Sequence, residues 1–468
     1  MAYCLFAIQA SAAPSSLEWV AAGNAELERE NYADALYAFD MALSINPSNP
    51  QAWEGKGNTY FAMGQYENAF DAFEKATEYG QNDPLKFKLK GDSAYLSGNY
   101  EAALEAYEHT LMLQPEYPEA IAAKALTLQT LGRYDEASSL LIGLLDLKSD
   151  DFRVWYRTGE ILRINAIYNE AIDAYSLAID LAPAHVPSIT GLGYAQIGIG
   201  VLDDAEASLE KALELDPDFP AAWVGLGNLE HERGNYPEAI EYYDYAIILE
   251  PSIATAWNGK GYAYFELENY QQAYLSFVNA TTFNPNYANA WSGLGYTLYE
   301  LGNLEDALEA FNNATEANPR YANAWIGKGD IFVEFGDLEN AAFAYSKAVE
   351  GDPTIAKAWY NLGAVLYDLG RYEEARLAFE EAASIEESNI DIWNGLGNTL
   401  YELELYQDSV DAFNIALSIE DENETAIEGL QRAQLRAGDS WVSEYGPFIL
   451  IAAILVLLVI IYYRRQTK

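Results

Sequence analysis

Apolar and small residues recur along the chain with a period of 34 residues between Ser16 and Asn423. Within each period they follow the i, i+3, i+4 spacing of helices, and helix-breaking residues divide the period into two segments. The pattern therefore predicts twelve repeats, each made of two short helices.

Two places in each period carry bulky residues, and nine of the ten tryptophans fall on the first of them. The fourth place holds Trp19, Trp53, Phe87, Ile121, Trp155, Ile189, Trp223, Trp257, Trp291, Trp325, Trp359 and Trp393. The twenty-fourth place holds Phe39, Phe73, Tyr107, Leu141, Tyr175, Leu209, Tyr243, Phe277, Phe311, Tyr345, Phe379 and Phe413. We expect both series to fill the space between successive helix pairs.

Small and helix-terminating residues complete the period. Glycine at the eighth place and alanine at the twentieth, as in Gly261 and Ala273, allow two helices to approach closely. Glycine at the fifteenth place, as in Gly302, can end the first helix in a left-handed conformation, and proline at the thirty-second, as in Pro319, ends the second. Each pair can bury its apolar face only against its neighbours, which predicts a solenoid.

The series, for example AWNGKGYAYFELENYQQAYLSFVNATTFNP from Ala256, resembles the tetratricopeptide repeat family over almost nine tenths of the chain. The resemblance implies an all-α, right-handed superhelical solenoid of antiparallel helix pairs. It also implies that the first helices line a concave groove that binds peptides or proteins. Residues 118–151 depart most from the pattern.

Both ends of the chain differ from the array. Residues 1–15 are interpreted as a signal peptide or N-terminal leader, and residues 424–438 as a capping helix. After a linker at 439–446, the apolar stretch 447–463 predicts one C-terminal transmembrane helix, followed by a basic tail at 464–468. The positive-inside tendency then predicts a single-pass membrane protein with a cytoplasmic C-terminus and the array outside the cell membrane.

Composition narrows the classes of partner. Acidic residues outnumber basic ones 72 to 26, which disfavours nucleic acid and favours solubility or cationic partners. The single cysteine lies in the leader, so no disulfide is predicted. The sequence shows no metal-ligand spacing, phosphate-binding loop or catalytic constellation; we expect neither enzymatic activity nor a cofactor.

The candidate binding residues come from the helical face that the resemblance assigns to the groove. The second, fifth, ninth and twelfth places of a first helix share one face, which asparagine and tyrosine dominate between residues 254 and 401. We predict a peptide- or protein-binding groove lined by Asn258, Tyr262, Phe265, Asn289, Ser292, Tyr296, Tyr299, Asn323, Tyr360, Tyr367, Asn394, Asn398 and Tyr401. This groove lacks a cluster of cations, so an acidic C-terminal tail is not an expected ligand. Candidate glycosylation sequons occur at Asn279, Asn313 and Asn423.

Three functions fit these features. The first is a non-catalytic, membrane-anchored scaffold or receptor that binds protein or peptide ligands outside the membrane. The second is a tail-anchored assembly or chaperone-type factor on the cytoplasmic face. The third is a self-associating structural protein of the cell surface.

Overall fold

The computed structural model describes residues 14–80 and 82–438. This part of the chain is all helical, as the sequence predicts, and helices pair with their sequence neighbours in the manner of a solenoid. The described residues form two compact units, one up to residue 233 (unit 1) and one from residue 234 (unit 2), and each is treated separately.

In unit 1 the helices are α1 (Ser16–Glu28), α2 (Tyr32–Ile45), α3 (Pro50–Ala62), α4 (Tyr66–Tyr79), α5 (Pro84–Leu96), α6 (Tyr100–Leu113), α7 (Pro118–Thr130), α8 (Tyr134–Leu144), α9 (Phe152–Ile164), α10 (Tyr168–Leu181), α11 (Val186–Gly198), α12 (Leu202–Leu215) and α13 (Pro220–Glu232). In unit 2 they are α14 (Tyr236–Leu249), α15 (Ala254–Glu266), α16 (Tyr270–Phe283), α17 (Ala288–Glu300), α18 (Leu304–Ala317), α19 (Ala322–Glu334), α20 (Leu338–Gly351), α21 (Ala356–Asp368), α22 (Tyr372–Ile385), α23 (Ile390–Glu402), α24 (Tyr406–Ile419) and α25 (residues 424–438).

The ring at the twenty-fourth place is the centre of the core. Phe277 is fully buried between Gly261 of its own repeat and Gly293 at the sixth place of the next. A Cβ added at either glycine would lie 2.8 Å or 2.4 Å from the ring. Any larger residue would therefore push the helices apart. The same two-sided packing in unit 1 involves Phe39, Gly23 and Gly55.

The tryptophans of the fourth place pack against the core from its edge. Most are only half-buried, and Trp155, at 2% exposure, is the buried exception. The Trp291 indole Nε1 donates to the Pro285 carbonyl oxygen at 2.8 Å, and Trp325 bonds Pro319 in the same way. An indole N–H needs an acceptor, and this one lies where the chain enters the next repeat. The tryptophans therefore fasten the turn between repeats.

The turn inside each repeat has a left-handed residue at the fifteenth place. Gly302 has φ of 78°, and the backbone N–H groups of Gly302 and Asn303 donate to the carbonyls of Tyr299 and Leu298. These two hydrogen bonds are those of a Schellman motif. Four repeats keep the conformation without glycine. Their residues are Glu30, Ala166, Glu268 and Glu404.

The prediction of a transmembrane helix is corrected here. Within residues 14–80 and 82–438, no helix is both long and apolar enough to cross a membrane. Helices α1–α24 have 11 to 14 residues, against about 20 for a span. The predicted span at 447–463 and its basic tail lie outside the described residues, as do residues 1–13 of the leader. The transmembrane helix and the single-pass membrane location inferred from it are therefore unsupported.

Candidate protein-binding surface

The predicted binding residues lie on the first helices of five successive repeats in unit 2. We call the second, fifth, ninth and twelfth places of α15, α17, α19, α21 and α23 the first-helix face. Three predicted residues on it are buried, namely Asn258, Ser292 and Asn394. Asn323 is exposed. The others are half-buried, and these are Tyr262, Phe265, Asn289, Tyr296, Tyr299, Tyr360, Tyr367, Asn398 and Tyr401.

The tyrosines of the ninth place also join one repeat to the next. The Tyr296 hydroxyl donates to the Asn323 carbonyl oxygen at 2.8 Å, and its ring meets Phe311 edge-on with centroids 4.9 Å apart. Tyr262 makes the equivalent bond to the Asn289 carbonyl at 3.1 Å. Burial raises the pKa of both phenols, which remain neutral donors. These two side chains hold the face together, a role that the sequence did not indicate.

The aromatic residues of the twelfth place are less constrained. The Tyr299 hydroxyl reaches Glu334 Oε1 at 3.4 Å, a long hydrogen bond at an exposed position. Tyr367 and Tyr401 lean on tyrosines of their own repeats, with ring centroids 5.4 and 5.5 Å apart. Phe265 packs edge-on to Tyr270. Of the predicted residues, the twelfth-place rings can turn to a partner with least disturbance to the fold.

A half-buried carboxylate, that of Asp330, lies at the ninth place of α19. Asp330 Oδ1 accepts from the Tyr345 hydroxyl at 2.6 Å and from Asn361 Nδ2 at 3.2 Å. Burial raises the pKa of Asp330. Asp330 was not among the predicted site residues.

A signal for Asp330 does exist in the repeat pattern. Where the twenty-fourth place is Tyr107 or Tyr175, the ninth place of the same repeat is Asp92 or Glu160, and each carboxylate accepts a hydrogen bond from the hydroxyl of its tyrosine. Where the twenty-fourth place is Phe277 or Phe311, the ninth place is a tyrosine. An acid at the ninth place therefore reports a buried tyrosine opposite it.

A row of acids borders the first-helix face at the thirteenth place. We call these residues the acidic row, and they are Glu266, Glu300, Glu334, Asp368 and Glu402. Each is exposed, and each is the last residue of its helix. No lysine or arginine of the described residues forms an ion pair with any of them. The thirteenth place lies outside the four places from which the groove was predicted.

The asparagine side chains of the face differ in whether their amide oxygens have a hydrogen-bond partner. Asn258 Oδ1, Asn289 Oδ1 and Asn394 Oδ1 are buried without a hydrogen-bond partner among residues 14–80 and 82–438. Asn398 Oδ1 accepts from Arg432 Nη2 of α25 at 3.0 Å, and the Arg432 guanidinium lies 5.3 Å from the Tyr401 ring centroid.

The predicted glycosylation sequons lie at three different places in unit 2. Asn279 is half-buried in α16, where its amide donates to the Leu275 carbonyl at 2.9 Å. Asn313 is half-buried in α18, and Asn423 precedes α25, with its Oδ1 accepting from the Ala426 N–H. Glycosylation at these asparagines stays a prediction.

Stacked helix pairs with a shared first-helix face place the described residues in the class of helical-repeat proteins, and comparison with known proteins agrees. Models of the tetratricopeptide repeat match residues 20–84, 94–157, 190–252, 292–354 and 356–389, and a further model, described as a TPR repeat, matches residues 261–302. Tetratricopeptide repeats therefore run across the chain, as the resemblance implied.

Among solved structures, the crystal structure of the APC/C hetero-tetramer Cut9-Hcn1 is similar, with a TM-score of 0.47 and 12% identity. The match covers 89% of this chain and 96% of that one. A comparison with curated proteins finds no match.

Proposed function

We propose that the chain is a non-catalytic scaffold that binds protein segments along the first-helix face of unit 2. The observation that carries the proposal is the alignment of half-buried tyrosines at the twelfth place of three first helices, Tyr299 of α17, Tyr367 of α21 and Tyr401 of α23. Tyrosine offers apolar area together with a polar tip at a low cost in side-chain entropy, which suits recognition of other proteins.

The tetratricopeptide repeats support the same function, since repeats of this kind present extended surfaces to partners. Catalysis finds no support in the residues on the face. The titratable groups at its four places are Lys357, Asp391, the hydrogen-bonded Asp330 and several tyrosines, and burial raises the pKa of Tyr296 and of Asp330. No hydrogen bond among these groups pairs a nucleophile with a base.

Site-specific crosslinking tests this proposal. A photoreactive residue is placed in the full-length chain at Tyr299 or Tyr367 and, as controls, at Leu275 or Leu377, exposed residues of the second helices α16 and α22. We expect crosslinked protein at the two tyrosine positions and much less at the two leucines. Equal crosslinking at all four positions would contradict a binding role for this face, and crosslinks to a second copy of the chain would indicate self-association.

A further inference from the structure

We propose that the first-helix face of unit 2 and its acidic row receive an extended polypeptide segment carrying lysine or arginine at about every third residue. The inference rests on the proposed function and names the chemical class of its partner. Four observations carry it: the position of the acids, the rings beside them, an arginine of this chain already bound there, and buried amide oxygens without partners.

The acids of the row occupy an electrostatically unfavourable position. Glu300, Glu334 and Asp368 each end a first helix, where the helix dipole places partial negative charge on unsatisfied carbonyls. Helix stability would favour a neutral or basic residue there. In unit 1 the same place holds Glu28 and Glu232 at α1 and α13, but Ala62, Leu96, Thr130, Ile164 and Gly198 at α3, α5, α7, α9 and α11. The fold therefore accepts uncharged residues at this place, and folding does not require the unbroken run of acids at the five first helices of the row.

Aromatic rings accompany the acids. The Tyr299 hydroxyl contacts Glu334, and the pKa of this phenol is raised first by burial and then by the negative charges of Glu334, Asp330 and Glu300. In the next step of the row, Glu402 and Asp368 act on Tyr367 in the same way. A ring face and a carboxylate side by side attract a guanidinium or an ammonium group by two mechanisms, cation–π attraction and charge pairing.

The chain itself supplies one example of such binding. Arg432 from α25 lies over the Tyr401 ring and donates to Asn398, which occupies the ninth place of α23. Arg432 thus stands in for a side chain of a partner at the last step of the face. The preceding steps at Tyr299 and Tyr367 have the ring and the acids, but no arginine of the described residues stacks on either ring.

The face also has unused acceptors. Asn258 and Asn394, both at the fifth place, are more than nine-tenths buried, and their Oδ1 atoms lack hydrogen-bond partners in the described part of the chain. A buried acceptor without a donor is costly, and a polypeptide provides donors in its backbone N–H groups.

The spacing fixes the form of the partner. We take the step between neighbouring first helices as about 8–10 Å, the usual distance between packed helices, and an extended chain advances about 3.3 Å per residue. Three residues of an extended segment therefore span one step between neighbouring first helices, so every third side chain meets the next acid of the row.

The test measures binding of labelled peptides to the full-length chain by fluorescence anisotropy. The probe has about 15 residues, enough for four or five steps at about 3.3 Å per residue, with arginine at every third position and serine or asparagine elsewhere. Two companion peptides carry glutamine or glutamate instead of arginine. We expect the arginine peptide to bind most tightly and to lose affinity as salt increases.

Two charge-matched triple variants locate the binding. E300Q/E334Q/D368N neutralises the middle of the acidic row, whereas E305Q/E309Q/E381Q neutralises exposed acids on the second helices α18 and α22. The first should weaken binding of the arginine peptide about tenfold, since three exposed charge pairs contribute roughly 0.5 kcal/mol each, and the second should change it less than about twofold. The first should also melt at a higher temperature than the unchanged chain, because the helix ends lose unfavourable charge, so unfolding cannot explain its weaker binding.

The outcomes separate this inference from the scaffold function. Equal weakening by both triple variants, or tighter binding of the glutamine peptide, overturns the basic partner and leaves the scaffold standing. Binding of none of the peptides by the unchanged chain also overturns the inference, and the crosslinking experiment then decides the scaffold function on its own.

Discussion

The hydroxyl of Tyr296 donates a hydrogen bond to the backbone carbonyl of Asn323, 27 residues further along the chain. The bond joins the ninth place of one first helix to the second place of the next. In unit 1 the Tyr194 hydroxyl reaches the Ala221 carbonyl at 2.7 Å in the same register. Part of the surface that is proposed to bind partners therefore also sets the stacking of the repeats.

Tyr296→Phe should lower the free energy of unfolding by about 1 kcal/mol, because it removes this hydrogen bond and leaves the ring in place. Tyr299→Phe is the matched control, and its exposed 3.4 Å bond to Glu334 should contribute almost nothing. Urea denaturation of both variants measures the difference. Equal effects would show that the Tyr296 bond does not stabilise the array.

Glu268→Gly should stabilise the chain by up to about 1 kcal/mol. Glu268 has φ of 56°, a left-handed conformation that costs a non-glycine residue roughly 1–2 kcal/mol, partly offset by the greater freedom of glycine in the unfolded chain. Gly302→Ala is the reverse change at the equivalent place and should destabilise. Thermal melts of the two variants should move in opposite directions, and parallel shifts would contradict this account.

Asn312→Asp should form an ion pair with Lys328 and raise the free energy of unfolding at neutral pH by up to about 1 kcal/mol. In the repeat with the same geometry, Lys260 pairs with Asp244 at 2.5 Å, 16 residues earlier. The residue 16 positions before Lys328 is Asn312, which has no charge. The Lys328 ammonium nitrogen lies 4.1 Å from the Trp325 ring centroid. Burial lowers the pKa of Lys328, and the new carboxylate should raise it.

Asp244→Asn removes the ion pair of the equivalent repeat and is the control for this prediction. It should lower stability by a similar amount. Calorimetric melts at low and high salt would check both variants, since screening should reduce both effects.

Asp330→Asn should change how stability depends on pH. Burial raises the folded pKa of Asp330 above its unfolded value, so the folded state binds the proton more tightly. As pH falls through the folded pKa, the unchanged chain therefore gains stability relative to the variant, which cannot titrate there. Unfolding free energies of both proteins between about pH 7 and pH 4 test the sign. An Asp330→Asn difference that stays constant over this range would contradict the raised pKa.

Arg432→Gln should strengthen binding of the arginine peptide, because it vacates the Tyr401 ring and Asn398 for a side chain of the peptide. Arg376→Gln removes the same charge from α22, where Arg376 pairs with Glu373 and Glu380, and serves as the control. Anisotropy titrations should give a larger gain for the first variant. Equal gains would reflect overall charge alone.

Much of the fold could be predicted from the sequence, because each repeat makes the same contacts. The 34-residue period fixes the helix pairs, and the small residue at Gly261 predicts the close approach that Phe277 then shows. Helical spacing shows that the four places share one face, and the family resemblance assigns that face to the groove. Trp291 packs against the core, but the hydrogen bond from its indole N–H to the Pro285 carbonyl is visible only in the folded turn.

The candidate site was less predictable for a different reason. The partners of Tyr296 and Asp330 lie in the neighbouring helices, and spacing within one helix does not show them. The acidic row has the same period as the rest and could have been found by extending the alignment of repeats by one place.

The sharing of core rings between repeats has a consequence for how such an array can change in length. The Phe277 ring packs against two glycines, Gly261 of its own helix pair and Gly293 of the next. A deletion or duplication of any length other than a whole period places the ring against a residue from a different place in the repeat. A deletion or duplication of a whole 34-residue period places the ring against a residue from the same place in the repeat. The unit that can be inserted or deleted is thus any stretch of 34 residues, whichever residue it starts at. Recombination that keeps the register of the 34-residue period keeps the fold.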